Sequence, residues 1–436
     1  MAFNLLHAND RPGEYPESWY ATTMPAQALR PALKGSHKAD VCIVGAGYTG
    51  LSAALHLAEA GYKVIVVEAH RIAWGASGRN GGQAGTGQRR GQDELEQLLG
   101  FPRAKLLWEL GEDAKGLVRR LIDRFAIDCD VTPGIIHADH KPRYAPHSRA
   151  YAEKLHEAYS YPHIRYAERD EMLTLVASRD YHGGTVDTDA FHLNPLKYAI
   201  GLARAAEAAG ALIYEKSEVM QLVKGDPALL RLEGGDVQAN HVLLACNGYL
   251  GGLEPSIASR VMPINNFVIV TEPMGQARAN ALISNNAAVA DSRFVINYFR
   301  RTPDHRLLFG GGETYCGYRF PPDIKAFTRR PMLKVFPQLA DLQVDFGWGG
   351  TLAITAKRLP ALRRVSSNIL SASGYSGHGI TIATHCGKLA GEAINGQSAR
   401  FDVYAALPSM AFPGGTMMRA PLLGLALNWY ALRDRL

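Results

Sequence analysis

Apolar residues form two short continuous runs near the start of the chain, and a segment with helical spacing separates them. Residues 41–44 and 64–67 are apolar at nearly every position, as in strands of a parallel sheet covered on both faces. Between them, residues 51–60 place Leu51, Ala54, Leu55 and Ala58 on one face of a helix. The pattern predicts a strand–helix–strand unit of the α/β class.

Later segments predict further helices and a second sheet. Residues 93–127 have helical periodicity with a break at residues 100–102, and Asn194-Pro195 is typical of a helix start. Residues 263–350 alternate β-branched and aromatic residues, which indicates a mixed sheet, with a helix near 323–335. Residues 381–394 predict a last helix before the C-terminal part of the chain.

These elements predict two interleaved domains. We expect a discontinuous Rossmann-type nucleotide-binding domain and an inserted substrate domain of mixed β-sheet plus helices. The segments assigned to the nucleotide-binding domain are residues 1–92, 188–262 and 345–436, and those assigned to the substrate domain are 93–187 and 263–344.

Composition narrows the class of protein. The chain has 436 residues, of which 47% are apolar and 20% charged, and its net charge is +6. Its arginine pairs are scattered along the chain and form no basic block. This argues for a globular protein and against a nucleic-acid partner. The sequence contains no run of about 18 apolar residues, so no membrane span is expected. No signal peptide is expected at the start. Residues 420–432 are interpreted as a docked helix.

Cysteine and histidine positions argue against disulfides and metal sites. The five cysteines are widely spaced without a CxxC pair, which favours the reducing cytoplasm. Cys42 and Cys246 are predicted to be core residues. His137, His140 and His147 are interpreted as histidines of turns and loops, and no metal site is predicted.

The first glycine motif predicts a dinucleotide site. Gly45-Ala46-Gly47-Tyr48-Thr49-Gly50 directly follows the first strand and opens the helix. Gly45 permits a tight turn, Gly47 lets a pyrophosphate approach the backbone, and Gly50 lets the helix pack against the strand. Glu68 ends the second strand, where a carboxylate can accept both hydroxyls of the adenosine ribose and would repel a 2′-phosphate.

Two further glycine segments favour FAD over NAD. Seven glycines lie between Gly75 and Gly91, so this loop can lie flat against an extended ligand. The segment from Gly374 to Gly379, with His378, precedes the last predicted helix, whose N-terminus could stabilise charge on a reduced flavin. His378 is a candidate base, although shaping the loop or hydrogen bonding to the cofactor is the preferred interpretation.

Taken together, the chain resembles the D-amino acid oxidase superfamily of FAD-dependent amine oxidoreductases, which includes glycine oxidase and monomeric sarcosine oxidase. The resemblance spans nearly the whole chain. The segments that carry it are Ser18-Trp19-Tyr20-Ala21, Arg30-Pro31-Ala32-Leu33, Asp40 through Gly50, Gly75-Ala76-Ser77-Gly78-Arg79-Asn80-Gly81-Gly82-Gln83, His192-Leu193-Asn194-Pro195-Leu196, Leu307-Leu308-Phe309-Gly310-Gly311-Gly312, Arg358-Leu359-Pro360, Ser376-Gly377-His378-Gly379 and Phe412-Pro413-Gly414-Gly415.

The resemblance implies a set of cofactor contacts, with Val219 near the adenine. The expected residues are Gly45, Gly47, Tyr48, Thr49, Gly50, Glu68, Ala69, Ser77, Gly78, Asn80, Gly81, Gly82, Gln83, Val219, Gly374, Gly377, His378, Gly379 and Ile380. Some relatives bind flavin through a cysteine shortly before the Gly377-His378-Gly379 segment. Residues 346–373 contain no cysteine, so noncovalent FAD is expected.

The resemblance also implies oxidation of a small-molecule amine, gamma-glutamylputrescine or a similar N-substituted amine. A hydride passes to flavin N5, the imine hydrolyses to an aldehyde, and O₂, giving H₂O₂, or another acceptor takes the electrons. Candidate substrate contacts are Tyr298 and Trp348, whose faces suit a cationic amine, and Arg300 and Arg358, which suit a carboxylate.

Other functions stay open at this point. The alternative within the same chemistry is an amino- or imino-acid oxidase or dehydrogenase acting on a sarcosine-, D-amino acid- or pipecolate-like substrate. A flavin-dependent hydroxylase would need NAD(P)H, and the sequence has no second dinucleotide fingerprint. A flavin-binding protein without catalysis is the third possibility.

Overall fold

The computed structural model of the chain describes residues 4–313 and 319–416. Within these ranges the strands form two sheets. The α-helices are α1 (Trp19–Thr22), α2 (Tyr48–Glu59), α3 (Gln92–Leu99), α4 (Phe101–Arg124), α5 (Ala145–Tyr159), α6 (Arg169–Leu175), α7 (Pro195–Ala208), α8 (Pro255–Ala258), α9 (Gln276–Leu282), α10 (Ile324–Val335), α11 (Gly379–Ile394) and α12 (Ala399–Ala405). The strands are β1 (Gly35–Val44), β2 (Val64–Val67), β3 (Gln83–Ala84), β4 (Thr132–Ala138), β5 (Ile164–Ala167), β6 (Gly184–His192), β7 (Leu212–Tyr214), β8 (Val219–Val223), β9 (Ala228–Leu232), β10 (Gly235–Leu244), β11 (Met262–Thr271), β12 (Ala288–Asp291), β13 (Tyr298–Arg301), β14 (Leu307–Glu313), β15 (Val344–Ile354), β16 (Ala361–Arg364) and β17 (Ile369–Ser373).

The first sheet is built around the predicted strand–helix–strand unit. Its order is β16-β17-β10-β1-β2-β7, with β9 and β8 paired beyond β10. Strands β17, β10, β1, β2 and β7 run parallel, so their carboxyl ends open at one edge. From β1 the chain goes to β2 on one side and returns later to β10 on the other. The carboxyl end of β1 is therefore a topological switch point, where open α/β sheets bind ligands.

The second sheet has the order β15-β11-β14-β13-β12-β4-β6-β3, and β5 pairs with β6. Its neighbours are antiparallel except β12 and β4, so it is mixed, as predicted. The registers place one residue from each of seven strands in a transverse row on the same face. This row, called the facing row below, consists of Trp348, Val268, Gly310, Tyr298, Ala290, His137 and Thr185.

The two faces of the second sheet have different partners. The residues next to the facing row along each strand, such as Phe299 and Phe309, point to the other face and form an apolar core with helix α10. Trp348, Val268 and Tyr298 instead pack with the helices of the first sheet. The facing row is therefore turned toward the nucleotide-binding part of the molecule.

Close backbone approach holds the helices around the first sheet. A Cβ on Gly387 of α11 would lie 2.2 Å from the Thr49 carbonyl oxygen of α2. A Cβ on Gly50 would lie 1.9 Å from the Gly45 carbonyl oxygen. Only glycine permits these distances, so α2 is pressed between β1 and α11.

The predicted elements largely match the structure. The helix expected at 381–394 begins two residues earlier, at Gly379, and the break at residues 100–102 separates α3 from α4. Strands β15 and β3 pair within the second sheet, although their residues fall in segments predicted for the nucleotide-binding domain. Cys42 is buried as expected, whereas Cys246 is partly exposed beyond the end of β10.

Two of the three histidines predicted in turns belong to regular elements: His137 lies in β4 and His147 in α5. In the described part of the chain, no helix is both long and apolar enough to span a membrane. Cys316 and the helix expected at 420–432 lie outside the described residues.

Candidate cofactor and substrate site

The junction between β1 and α2 lies at the switch point of the first sheet. Gly45 has φ +105°, and a Cβ there would lie 2.9 Å from the Ala245 carbonyl oxygen. Gly47 is the N-cap of α2 and offers no side chain to cap the helix, and of the first helical amides the Tyr48 N–H is bonded to Ser77 Oγ of the neighbouring loop. By contrast, Asn194 caps α7 by accepting from the Lys197 amide. The open end of α2 suits an anionic ligand such as a pyrophosphate.

Glu68 stands beside this junction, at the end of β2. Its carboxylate accepts hydrogen bonds from the amides of Ala46 at 2.8 Å and His70 at 3.0 Å. Burial nevertheless raises its pKa above the usual range. The residue as a whole is partly exposed, with one amide bonded to each carboxylate oxygen.

The loop after β2 uses its own side chains to fix its shape. The Asn80 amide nitrogen donates to the carbonyls of Ala76 at 3.0 Å and Ser77 at 3.1 Å, and its oxygen accepts from the Gly82 amide at 2.9 Å. Ser77 Oγ accepts a hydrogen bond from the Tyr48 amide at 3.1 Å. A Cβ on Gly47 would lie 2.8 Å from this oxygen. The loop is thus held against the start of α2.

The third junction precedes α11. Gly374 and Gly377 have positive φ, and Gly377 has open space where a Cβ would be. The N-cap of α11 is His378, which supplies no side-chain cap. Its ring packs against Gly85, where a Cβ would lie 2.8 Å from Cε1, and its buried Nε2 lacks a hydrogen-bond partner among the described residues. Burial, aided by Arg89 and His137, lowers the pKa of His378 to about 4.

These features fit a dinucleotide with a ring system at one end. Two uncapped helix starts, a carboxylate at the end of β2 and glycine backbone without side chains line one edge of the first sheet. Not every predicted contact points its side chain there. The Tyr48 hydroxyl donates to the Pro195 carbonyl, Thr49 bonds the Tyr375 hydroxyl at 2.6 Å, and the Gln83 amide donates to Val289. The other predicted contacts, Ala69, Gly78, Val219 and Ile380, lie in the same segments or at the start of β8.

Two of the predicted substrate contacts, Arg300 and Trp348, are buried and donate hydrogen bonds to backbone carbonyls. Arg300 is 1% exposed and donates to the carbonyls of Gly81 at 2.9 Å and Leu193 at 3.2 Å. Trp348 is 2% exposed, and its indole N–H donates to the Arg79 carbonyl at 2.9 Å. Both side chains hold the glycine loop from behind. The expectation that Arg300 forks a carboxylate and that Trp348 offers its face to an amine is corrected accordingly.

Tyr298 and Arg358 are more accessible. The Tyr298 ring lies 2.6 Å from where a Cβ on Gly81 would be, and its hydroxyl donates to Asn266 Oδ1 at 2.6 Å. Arg358 has φ +54° and places its guanidinium 4.6 Å from the centre of the Phe294 ring. Tyr298 belongs to the facing row, and Arg358 lies in the turn between β15 and β16.

His137 was overlooked as a site residue because its isolated sequence position gives no signal. It belongs to the facing row, where Ala290 of β12 separates it from Tyr298 of β13. Its surface is exposed, yet burial lowers its pKa, and the positive charge of Arg89 contributes to the lowering. Arg89, whose charge acts on His137, donates to the Ser376 carbonyl of the α11 junction at 3.2 Å.

A buried charged network anchors the loop that His378 contacts. The Lys115 ammonium on α4 donates to Thr86 Oγ1 at 2.9 Å and to the Tyr161 hydroxyl at 3.0 Å. It also pairs with Glu112 at 2.8 Å and Asp189 at 2.6 Å. The loop at Thr86 is therefore fixed by a lysine 2% exposed.

The N-terminal arm, residues 4–34, reaches the same loop from the other side. Asp10 pairs with the Arg79 guanidinium at 2.7 Å, and the Tyr20 hydroxyl donates to the Asn80 carbonyl at 2.7 Å. A cavity of about 410 Å³ lies between this arm and residues 319–324 and 347–349. The cofactor and substrate contacts predicted from the sequence include none from this arm.

Comparison with known proteins fits this geometry. The family described as FAD dependent oxidoreductase matches residues 40–393, and the chain belongs to this family. It is therefore an enzyme of the FAD-dependent oxidoreductase class. It is 43% identical to a probable oxidoreductase OrdL of Rhizobium meliloti over 96% of this chain and 97% of that one. It is 39% identical to the gamma-glutamylputrescine oxidoreductase of Escherichia coli over 97% and 99%.

Solved structures share the fold. A glycine oxidase from Geobacillus kaustophilus superposes with a TM-score of 0.69 at 20% identity, covering 83% of this chain and 95% of its own. An L-proline dehydrogenase from P. horikoshii gives 0.69 at 20% identity over 85% and 96%. The α/β fold with a Rossmann-type FAD domain, expected from the sequence, is confirmed.

Proposed function

We propose that this enzyme uses noncovalently bound FAD to oxidise the C–H bond beside an amine nitrogen, with gamma-glutamylputrescine or a similar N-substituted amine as substrate. The observation that carries the proposal is the position of the facing row, which places the Tyr298 ring against Gly81 of the glycine loop and His137 on the same face of the second sheet. The Escherichia coli relative supports the substrate class.

The residues assigned to the cofactor divide by chemistry. The open N-terminus of α2 binds the pyrophosphate, Glu68 accepts from the ribose hydroxyls, and the α11 junction faces the flavin end. When bound, FAD supplies a two-electron acceptor for a hydride from the substrate, and O₂ or another acceptor takes the electrons on. The absence of cysteine from residues 346–373 supports noncovalent binding.

The histidines near the facing row stay neutral during turnover. A lowered pKa of about 4 leaves His378 unprotonated at neutral pH, and burial lowers the pKa of His137 as well. A base this weak does not retain the proton of a substrate ammonium, so that proton leaves to solvent before the C–H bond breaks. Neutral rings also avoid repelling the amine. We therefore expect kcat/KM to rise with pH toward the amine's own pKa rather than to follow His378.

An anaerobic amine panel tests the proposal. Purified enzyme with FAD is mixed with gamma-glutamylputrescine, putrescine, sarcosine, D-alanine and pipecolate, and bleaching of the flavin absorbance is followed. Bleaching by gamma-glutamylputrescine at least tenfold faster than by the others supports the substrate assignment. Faster bleaching by the amino or imino acids would favour the alternative function, an amino- or imino-acid oxidase or dehydrogenase. Bleaching by NADPH alone would favour a hydroxylase.

Two further measurements complete the test. Acid precipitation releases yellow flavin into the supernatant if FAD is noncovalent, and colour left in the pellet contradicts this. Peroxide formation in air identifies an oxidase, whereas turnover supported only by a dye identifies a dehydrogenase.

A further inference from the structure

The turn formed by residues 245–249 lies between the two glycine junctions. Strand β10 is the neighbour of both β1 and β17 in the first sheet, and all three run parallel. The loops that follow these strands therefore leave the sheet side by side. No glycine motif marks residues 245–249, and the cofactor contacts implied by the sequence do not include them.

This turn touches the β1–α2 junction on one side. The Ala245 amide donates to the Val44 carbonyl at 2.9 Å, and its own carbonyl oxygen lies 2.9 Å from where a Cβ on Gly45 would be. The Cys246 thiol lies 3.5 Å from the Val44 carbonyl oxygen, and burial, with a smaller contribution from the charge of Glu68, raises the pKa of this thiol. The turn thus forms a wall beside the predicted ribose site.

On its other side the turn holds the α11 junction through one side chain. The Gly374 amide donates to Asn247 Oδ1 at 3.0 Å. Gly374 is buried and has φ +75°, so its amide depends on a partner supplied by another segment. Asn247 itself has φ +47°, a left-handed conformation that asparagine tolerates better than most residues.

We infer that Asn247 is a positioning residue of the FAD site, whose side chain fixes the α11 junction relative to the β1–α2 junction. The two junctions come from opposite ends of the chain, and the turn joins them: the Ala245 backbone is bonded to Val44 at the end of β1, and the Asn247 side-chain oxygen accepts from Gly374. This inference rests on the FAD site of the proposed function but not on its substrate. A preformed junction reduces the ordering that FAD binding must impose.

The test is FAD titration of apoenzyme, followed by quenching of flavin fluorescence. The variant Asn247→Gly keeps the left-handed backbone accessible and removes only the side-chain acceptor. We expect it to raise the Kd for FAD roughly tenfold, the order expected when a buried amide loses its partner. The melting temperature of the holoenzyme should fall more than that of the apoenzyme, because binding then contributes less stability.

Asn286→Gly is the matched control. Asn286 also has positive φ, at +58°, and its side chain accepts from Arg301 Nε at 2.9 Å in the second sheet. This variant should lower both melting temperatures in parallel and leave the Kd within twofold of wild type. If Asn247→Gly behaves in the same way, Asn247 has only a structural role and the inference is wrong. Wild-type apoenzyme that takes up no FAD would instead overturn the proposed function, and failure with the amine panel leaves this test unaffected.

Discussion

The two sheets contribute to the site in different ways. The first sheet contributes backbone: neighbouring parallel strands end at one edge, and glycines there leave room for a ligand. The second sheet contributes side chains, one from each of several strands in the facing row, from His137 to Trp348. Six consecutive residues, 45–50, are enough to form a backbone site. The facing row instead brings together residues from seven strands that are distant in the sequence.

This difference explains what the sequence could predict. The spacing of Gly45, Gly47 and Gly50 in the sequence predicts their role. In the structure a Cβ on any of the three would lie within 3 Å of another atom. Arg300 was predicted to bind substrate because an arginine in the β-rich block can fork a carboxylate. Its burial depends on the glycine loop and the N-terminal arm, which lie far away in the sequence.

His137 illustrates the opposite error. It was interpreted as a turn or loop histidine, and only the pairing of β4 with β12 and β6 places it in the same row as Tyr298, one strand beyond Ala290. Strand registers are not encoded in a short motif, so such a residue gives no sequence signal. The two halves should also respond differently to mutation, because close backbone contacts hold one and a buried charged network anchors the other.

The largest effect is expected from Lys115→Met. The substitution leaves Glu112 and Asp189 without their buried cation, and loss of one partner of such a pair costs about 3–5 kcal/mol. Because both carboxylates are about a quarter exposed, we expect about 3 kcal/mol in urea unfolding of the apoenzyme.

Lys154→Met is the control for this variant. Lys154 also pairs with two acids, Asp93 and Glu96, but its side chain is 29% exposed. Its loss should cost under about 1 kcal/mol. Equal effects of the two substitutions would show that burial of Lys115 adds nothing.

The first half should be broken by one methyl group. Gly387→Ala places a Cβ 2.2 Å from the Thr49 carbonyl oxygen and forces α11 away from α2. Overpacking of this kind costs about 1–3 kcal/mol, and weaker FAD binding should accompany it because both helices begin at the cofactor site. Thermal unfolding and FAD titration measure the two effects.

Gly391→Ala, one turn further along α11, provides the comparison. A Cβ there meets nothing closer than Leu57 Cγ at 3.4 Å. It should be neutral or stabilise the helix by up to about 1 kcal/mol. A loss of stability as large as that of Gly387→Ala would mean that any side chain on α11 disturbs the fold.

Acid should weaken the half that contains α11 through His385. Burial lowers the pKa of this 1% exposed histidine to about 3, with Arg400 adding to the effect. Below about pH 6.5 the histidine takes up a proton in the unfolded chain but stays neutral in the folded protein. The free energy of unfolding therefore falls as the pH drops from 6.5 toward 3. His385→Gln should remove about 2 kcal/mol of the loss between pH 8 and pH 5. Urea unfolding of the wild type and the variant at both pH values measures this difference.

The smallest effect is expected from Tyr298→Phe, which decides whether one member of the facing row works on substrate or only supports the sheet. Its hydroxyl donates to Asn266 Oδ1, so removing it should cost about 1 kcal/mol of stability. Tyr166→Phe is the control, since the Tyr166 hydroxyl is buried without a hydrogen-bond partner among the described residues. Because the ring that packs on Gly81 is unchanged, kcat/KM should stay within about threefold of wild type, a difference under about 1 kcal/mol. A loss of more than tenfold with unchanged stability would support the substrate contact predicted for Tyr298 from the sequence, and would show that side chains of the second sheet act on the substrate directly.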